Sequence, residues 1–211
     1  MPAAAATATS RTIMTAEGGA YALILFCSQE GPVQIGKLGP LQLRRGFYVY
    51  VGSAVGPGGV RARVAHHQKV SLRPHWHIDY LRPHTCLDRI WYSHDRVCRE
   101  HRWARVIRAL RGASVPIAGF GSSDCRCKTH LFFFTRRPSF KEFRQKAQGS
   151  VRAGKASPVF VVHNTTRRRS GQVKSQRSKV KRQMANVKSD GILPFDPALR
   201  DDLHFDLPFP V

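Results

Sequence analysis

Between Gly46 and His67 the chain reads as a strand, a glycine turn and the start of a helix. Phe47 to Val51 (Phe-Tyr-Val-Tyr-Val) is aromatic and β-branched, which suits a pleated, half-buried strand. Gly52 to Gly59 holds four glycines and Pro57, so the backbone must turn there. Arg61, Arg63, His66 and His67 follow, and on a helix Arg63 and His67 share a face. A strand of this kind needs partners in a sheet.

The remaining segments supply such a sheet. Gly19 to Cys27 is an almost unbroken apolar run of strand length, expected to be covered on both faces. Gly31-Pro32 marks a turn, and Val33 to Lys37 reads as a second strand. With Phe47 to Val51 this makes three strands, followed by a helix over about 60–70. The simplest arrangement is an antiparallel meander with helices packed on it. Cys86 to Tyr92 is a further strand candidate. Cys98 to Leu110 places Trp103, Val106, Ile107 and Leu110 at helical spacing, with Gly112 as a stop signal. Leu131 to Phe134 reads as the last strand, and Pro138 as its end.

Charge divides the chain. Of the 35 Lys and Arg against 13 Asp and Glu, 20 basic and 8 acidic residues fall within 17–142, 13 basic and no acidic residues within 143–189, and 5 acids with one Arg within 190–211. The expected organisation is a disordered leader over 1–16, a folded domain over 17–142, a disordered basic tail over 143–189 and an acidic Pro/Phe end over 190–211. A Ser/Gln/Lys/Arg tract buries too little surface to offset its ordering entropy. The net charge of +22 attracts polyanions, with nucleic acid the expected partner. No hydrophobic run reaches about 18 residues, which excludes a spanning helix and makes a membrane partner unexpected. Five cysteines at irregular spacing fit a reducing, intracellular compartment: cytoplasm, nucleoid, nucleus or an organelle.

Gly19-Ala20-Tyr21 and Tyr50-Val51-Gly52 resemble the two halves of the GIY-YIG nuclease motif. Four strings carry a closer likeness to the small basic DUF123 or Uri-type branch. They are Gly-Phe-Tyr-Val-Tyr-Val-Gly-Ser-Ala, Gly-Pro-Gly-Gly-Val-Arg-Ala-Arg, His-Trp-His-Ile-Asp-Tyr-Leu and Gly-Phe-Gly-Ser-Ser-Asp-Cys-Arg-Cys. The resemblance covers about 18–138 and implies an α+β fold with a small three-stranded antiparallel sheet and flanking helices. It implies hydrolysis of phosphodiester bonds, DNA more than RNA, in repair or processing, with one Mg²⁺ or Mn²⁺. By the same resemblance Tyr21 and Tyr50 handle the attacking water, Arg63 the phosphate, His67 proton transfer, and Glu100 the metal. Gly52, Ser53, Arg61, His75, His77 and Ser123 become substrate-binding candidates. The sequence departs from the pattern in lacking a late asparagine, where Ser123 or Asp124 stands in.

The residue chemistry agrees with those roles. A tyrosine acts as a base only if its pKa is drawn down from about 10, and a nearby cation does that. Arginine suits bidentate phosphate contact. A carboxylate is the oxygen ligand Mg²⁺ requires, although Glu100 can instead pair with Arg96 or Arg99. His75, His77 and Asp79 serve as transition-metal ligands, as nucleic-acid contacts or as structural hydrogen-bonding groups. Cys125-Arg-Cys127 with His130 falls short of the Cys-x₂₋₄-Cys spacing of zinc sites, so reduced thiols rather than Zn²⁺ are expected there. The alternatives to a nuclease are a nucleic-acid-binding module of the same fold without turnover, and a zinc-stabilised interaction domain.

Overall fold

The computed structural model describes residues 14–95, 100–149 and 158–163. Every described element falls in the first of two compact units, residues 1–168. The chain is α+β, and its sheet is antiparallel as expected but has five strands rather than three. Strand β1 (Ala20–Cys27) is central, flanked by β4 (Gly46–Ser53) and β5 (Cys86–Ser93). The edges are β6 (Leu131–Phe134) beside β4 and β7 (Phe160–His163) beside β5.

The expected second strand lies elsewhere. β2 (Gly31–Gln34) pairs only with β3 (Pro40–Leu43), in a separate two-stranded ribbon. That ribbon alternates exposed and buried positions, as one-sided cover does, and it lays Ile35, Leu41 and Leu43 on the core. The apolar run of β1, by contrast, is buried along both faces. Tyr21, Leu23, Leu25 and Cys27 point to one core, and Ala20, Ala22 and Ile24 to the other. This is the two-residue period of a strand covered on both sides.

The first core is closed by α1 (Gly59–Gln68), through Val60 and Val64, and by the short α2 (His77–Leu81), through Ile78 and Leu81. The second is closed by α3 (Glu100–Arg108), through Trp103, Ala104 and Ile107, and by α4 (Phe140–Gly149), through Phe143 and Ala147. Phe143 is fully buried, stacked on Trp91 at 4.7 Å and edge-on to Trp103 at 5.0 Å.

The domain edges therefore move. α4 starts before 142 and ends after it, and β7 completes the sheet, so the folded region does not stop at residue 142. At the other end Met14 packs on the core, and the carbonyls of Thr15 and Glu17 accept the N–H groups of Arg61 and Val60 at the start of α1. Met14 and Thr15 had been assigned to the leader. Because chain carbonyls take these N–H groups, they are not free for a phosphate. Gly59 permits this approach: its φ is +54°, and a Cβ there would stand about 2.1 Å from the carbonyl oxygen of Glu17. The basic and acidic segments from 164 onward lie outside the described residues, as does the leader over 1–13. No helix among the described residues is long and apolar enough to cross a membrane.

Candidate active site

A cleft of about 320 Å³ opens at the end of the sheet where β1 begins and β4 ends. Tyr21, Tyr50, Arg63, His67 and Glu100 all line it. Residues up to 79 positions apart in sequence thus meet at one place, delivered by β1, β4, α1 and the first turn of α3.

Tyr21 and His67 form the closest pair, with the Tyr21 hydroxyl 3.0 Å from His67 Nε2. Gly52 makes room for this pair. A Cβ there would lie 2.3 Å from the Tyr21 hydroxyl, so Tyr21 fits only because its partner in the β1–β4 register carries no side chain. Gly52 is accordingly a space-making residue and does not line the cleft, which replaces its expected substrate contact. Tyr50 stands beside both, its ring 6.4 Å from Tyr21 and 6.1 Å from His67, edge-on in each case.

The expectation that a cation lowers a tyrosine pKa is reversed. Burial pushes the Tyr21 hydroxyl well above its ordinary value, with Tyr50 adding to the rise and Arg63 opposing it only in part. Tyr50 is likewise raised, first by burial and then by Glu100. Both are therefore hydroxyl donors, not phenolates. The group that can accept a proton is His67. Burial lowers it to about 4 against the pull of Asp79, so the imidazole is neutral at pH 7.

Asp79 is the residue around which the histidines gather. Its Oδ2 accepts the N–H groups of Trp76 at 3.0 Å and His75 at 3.1 Å, capping α2. Its Oδ1 faces His67 Nδ1 at 3.6 Å and His66 Nε2 at 3.5 Å. His75, His77 and Asp79 do not converge as one ligand set. His75 and His77 line the cleft separately, and His77 Nδ1 accepts the Gly121 N–H at 3.0 Å, which leaves the His77 proton on Nε2. His66, which was given no role from sequence, is drawn in by Asp79.

Arg63 lies half-buried over the Trp76 ring, its guanidinium carbon 4.7 Å from the centroid. Among the described residues no ion pair engages it, so its charge is available to an anion in the cleft. Arg61, expected to contact substrate, is exposed and does not line the cleft, whereas Arg63 does. Ser53 lines the cleft with its buried Oγ lacking a hydrogen-bond partner. Ser123 and Asp124 line it from the loop before β6, where Gly121, at φ +66°, lets the backbone pass Tyr50.

Glu100 is half-buried in the first turn of α3, a favourable end for an acid. Its Oε1 lies 2.7 Å from His130 Nδ1. Arg96 and Arg99, the partners considered from sequence, lie outside the described residues. The buried face of His130 in turn meets Cys125, whose Sγ is 3.5 Å from Nε2. Sequence reasoning did not reach the roles of Trp76 and His101. Trp76 is an aromatic between two polar residues, a signal too common to single out, and His101 is marked only by adjacency to Glu100.

Comparison with curated proteins and with solved structures finds no match. Residues 20–153 match the family described as "Domain of unknown function DUF123", and the chain belongs to that family.

Proposed function

We propose that this protein is a metal-dependent endonuclease of the GIY-YIG type that hydrolyses phosphodiester bonds, with DNA as its substrate. The observation that carries this reading is the convergence of Tyr21, Tyr50, Arg63, His67 and Glu100 on one cleft in a domain with a strong positive charge. The Arg63 guanidinium, steadied on Trp76, takes the phosphate. The buried Tyr50 hydroxyl donates to a phosphate oxygen. Water attacks phosphorus and yields its proton to the Tyr21 oxygen while Tyr21 passes its own proton to His67 Nε2. Tyr21 thus stays neutral, which its high pKa demands, and the imidazolium that forms faces Asp79. The leaving oxygen is protonated from solvent.

The residues present fit Mg²⁺ or Mn²⁺, since two carboxylates, Glu100 and Asp124, open onto the cleft and hard oxygen donors suit these ions. A divalent ion held there supplies charge neutralisation at the phosphate oxygens.

Nicking of plasmid and of short branched duplexes in Mg²⁺ or Mn²⁺ tests the reading. Arg63→Ala and Glu100→Ala are each expected to reduce the rate by at least about 100-fold, the scale of losing a charge-stabilising group. Cleavage at the same rate in both variants overturns it. Salt-sensitive binding without nicking by the wild type supports the binding-module alternative.

A further inference from the structure

Behind the cleft, folding assembles four side chains that the sequence scatters. His101 comes from the first turn of α3, Cys125 and Cys127 from the loop after Phe120, and His130 from the approach to β6. One nitrogen or sulfur from each lies within 4.8 Å of all the others. Cys125 Sγ stands 3.5 Å from His130 Nε2, and Cys127 Sγ 3.3 Å from His101 Nδ1. Zinc bonds of about 2.0–2.1 Å to nitrogen and about 2.3 Å to sulfur give a tetrahedron with edges of roughly 3.3–3.8 Å. Both distances fall in that range. The donor set, two thiols and two imidazoles, is the borderline-soft one that zinc prefers.

We propose that His101, Cys125, Cys127 and His130 form a structural zinc site that ties the start of α3 to the loop bearing Gly121, Ser123 and Asp124. Four protein ligands close the coordination shell, so the ion holds structure and does not activate water. His130 points Nε2 at the cluster and Nδ1 at Glu100, 2.7 Å away. A carboxylate behind the second ring nitrogen is the usual orienting partner of a zinc-bound histidine. Glu100 thus faces the cleft and supports the ligand shell behind it.

The sequence reading set zinc aside here because Cys-x-Cys falls short of the usual spacing of zinc ligands. The partners are His130, three residues on, and His101, from another element. Cys86 is not one of them, since it pairs opposite Phe26 in the sheet, and Cys98 lies outside the described residues. The other convergent group among the described residues, His66, His67 and Asp79, is a poorer candidate. There Asp79 Oδ2 already accepts two N–H groups, and His67 Nε2 is engaged by Tyr21.

The zinc site does not depend on the nuclease reading, and its test reads metal alone. Full-length protein, purified reduced, is loaded with Zn²⁺ or Co²⁺, dialysed and measured by elemental analysis and visible absorption. One equivalent per chain is expected, and the cobalt form should show thiolate charge-transfer bands and tetrahedral d–d bands. Cys125→Ser and His101→Ala should each lower affinity by at least about tenfold, with Glu100→Gln lowering it by roughly tenfold through its histidine. Cys86→Ser should leave binding unchanged, and circular dichroism of each variant checks folding. Absence of the cobalt–thiolate bands in the wild type, wild-type cobalt affinity in both ligand variants, or a Cys125–Cys127 disulfide in the reduced preparation overturns the proposal.

Discussion

His67 is a buried histidine at the centre of the cleft, with its pKa lowered to about 4 by desolvation. An unfolded histidine titrates near 6.5, so as pH falls the unfolded chain takes up this proton first. The sign follows: stability from neutral His67 is complete above about pH 6.5 and is lost as pH falls toward 4. The loss is roughly 3 kcal/mol from this residue, a large part of a typical domain's stability. Urea unfolding at several values across this window should show a steep decline for the wild type and a flatter one for His67→Gln. Parallel profiles for the two proteins would refute the assignment. At this scale Tyr21, Tyr50, Arg63 and His67 were legible from sequence through the motif strings they resemble, and their side-chain chemistry agrees with that resemblance. The protonation of the two tyrosines and of His67 was not legible. It depends on how much water the fold removes, and removal of water outweighed the cation beside them. Gly52 shows the same limit, since a glycine that leaves room for a hydroxyl and one that contacts a substrate look alike in a string of letters.

Among the elements, α4 shows what charge conceals. The segment from 143 onward is rich in Lys, Arg and Gln and reads as a tail. Yet Phe140, Phe143 and Ala147 lie on one helical stripe, and Ser139 Oγ accepts the Glu142 N–H at 3.2 Å, a Ser-x-x-Glu start signal. Three apolar residues suffice because Trp91 and Trp103 offer a flat aromatic surface for them. Phe143→Ala should therefore cost about 3–5 kcal/mol in urea unfolding, as loss of a fully buried core aromatic does. A change below about 1 kcal/mol would return this segment to the tail. The strand count was misjudged for a related reason. Val33 to Lys37 has strand composition, but pairing is chosen by cover, and β2 is satisfied by β3 in a ribbon that caps the core. β7 comes from the one apolar island of the basic region, and only the exposed edge of β5 shows where such an island belongs.

For the whole molecule, the field is positive both on the domain and on the segment after it, with nets of +12 over 17–142 and +13 over 143–189. Two separate cationic blocks should both release counterions from a nucleic acid. The salt dependence of duplex binding between about 50 and 200 mM tests this, because each phosphate contact contributes roughly 0.9 to the slope of log K against log salt. Replacing Arg167, Arg168 and Arg169 by Ala should make the slope shallower by as much as about 2–3. An unchanged slope would place the contacts on the folded domain alone.

The sequence by itself determined the α+β class, the antiparallel pairing and the cover of the β1 run on both faces, and its motif strings pointed to Tyr21, Tyr50, Arg63, His67 and Glu100, five of the residues that line the cleft. The first three follow from local periodicity and side-chain chemistry and the five residues from a resemblance in short motif strings, all of them properties of short stretches. Only the tertiary structure decided that His101 meets Cys125, Cys127 and His130, that Asp79 gathers His66 and His67, and that both tyrosines are held as hydroxyls. Each of these is a distance or a loss of solvent between segments far apart in the chain. No spacing along the chain encodes them, because packing across the two faces of the sheet sets them.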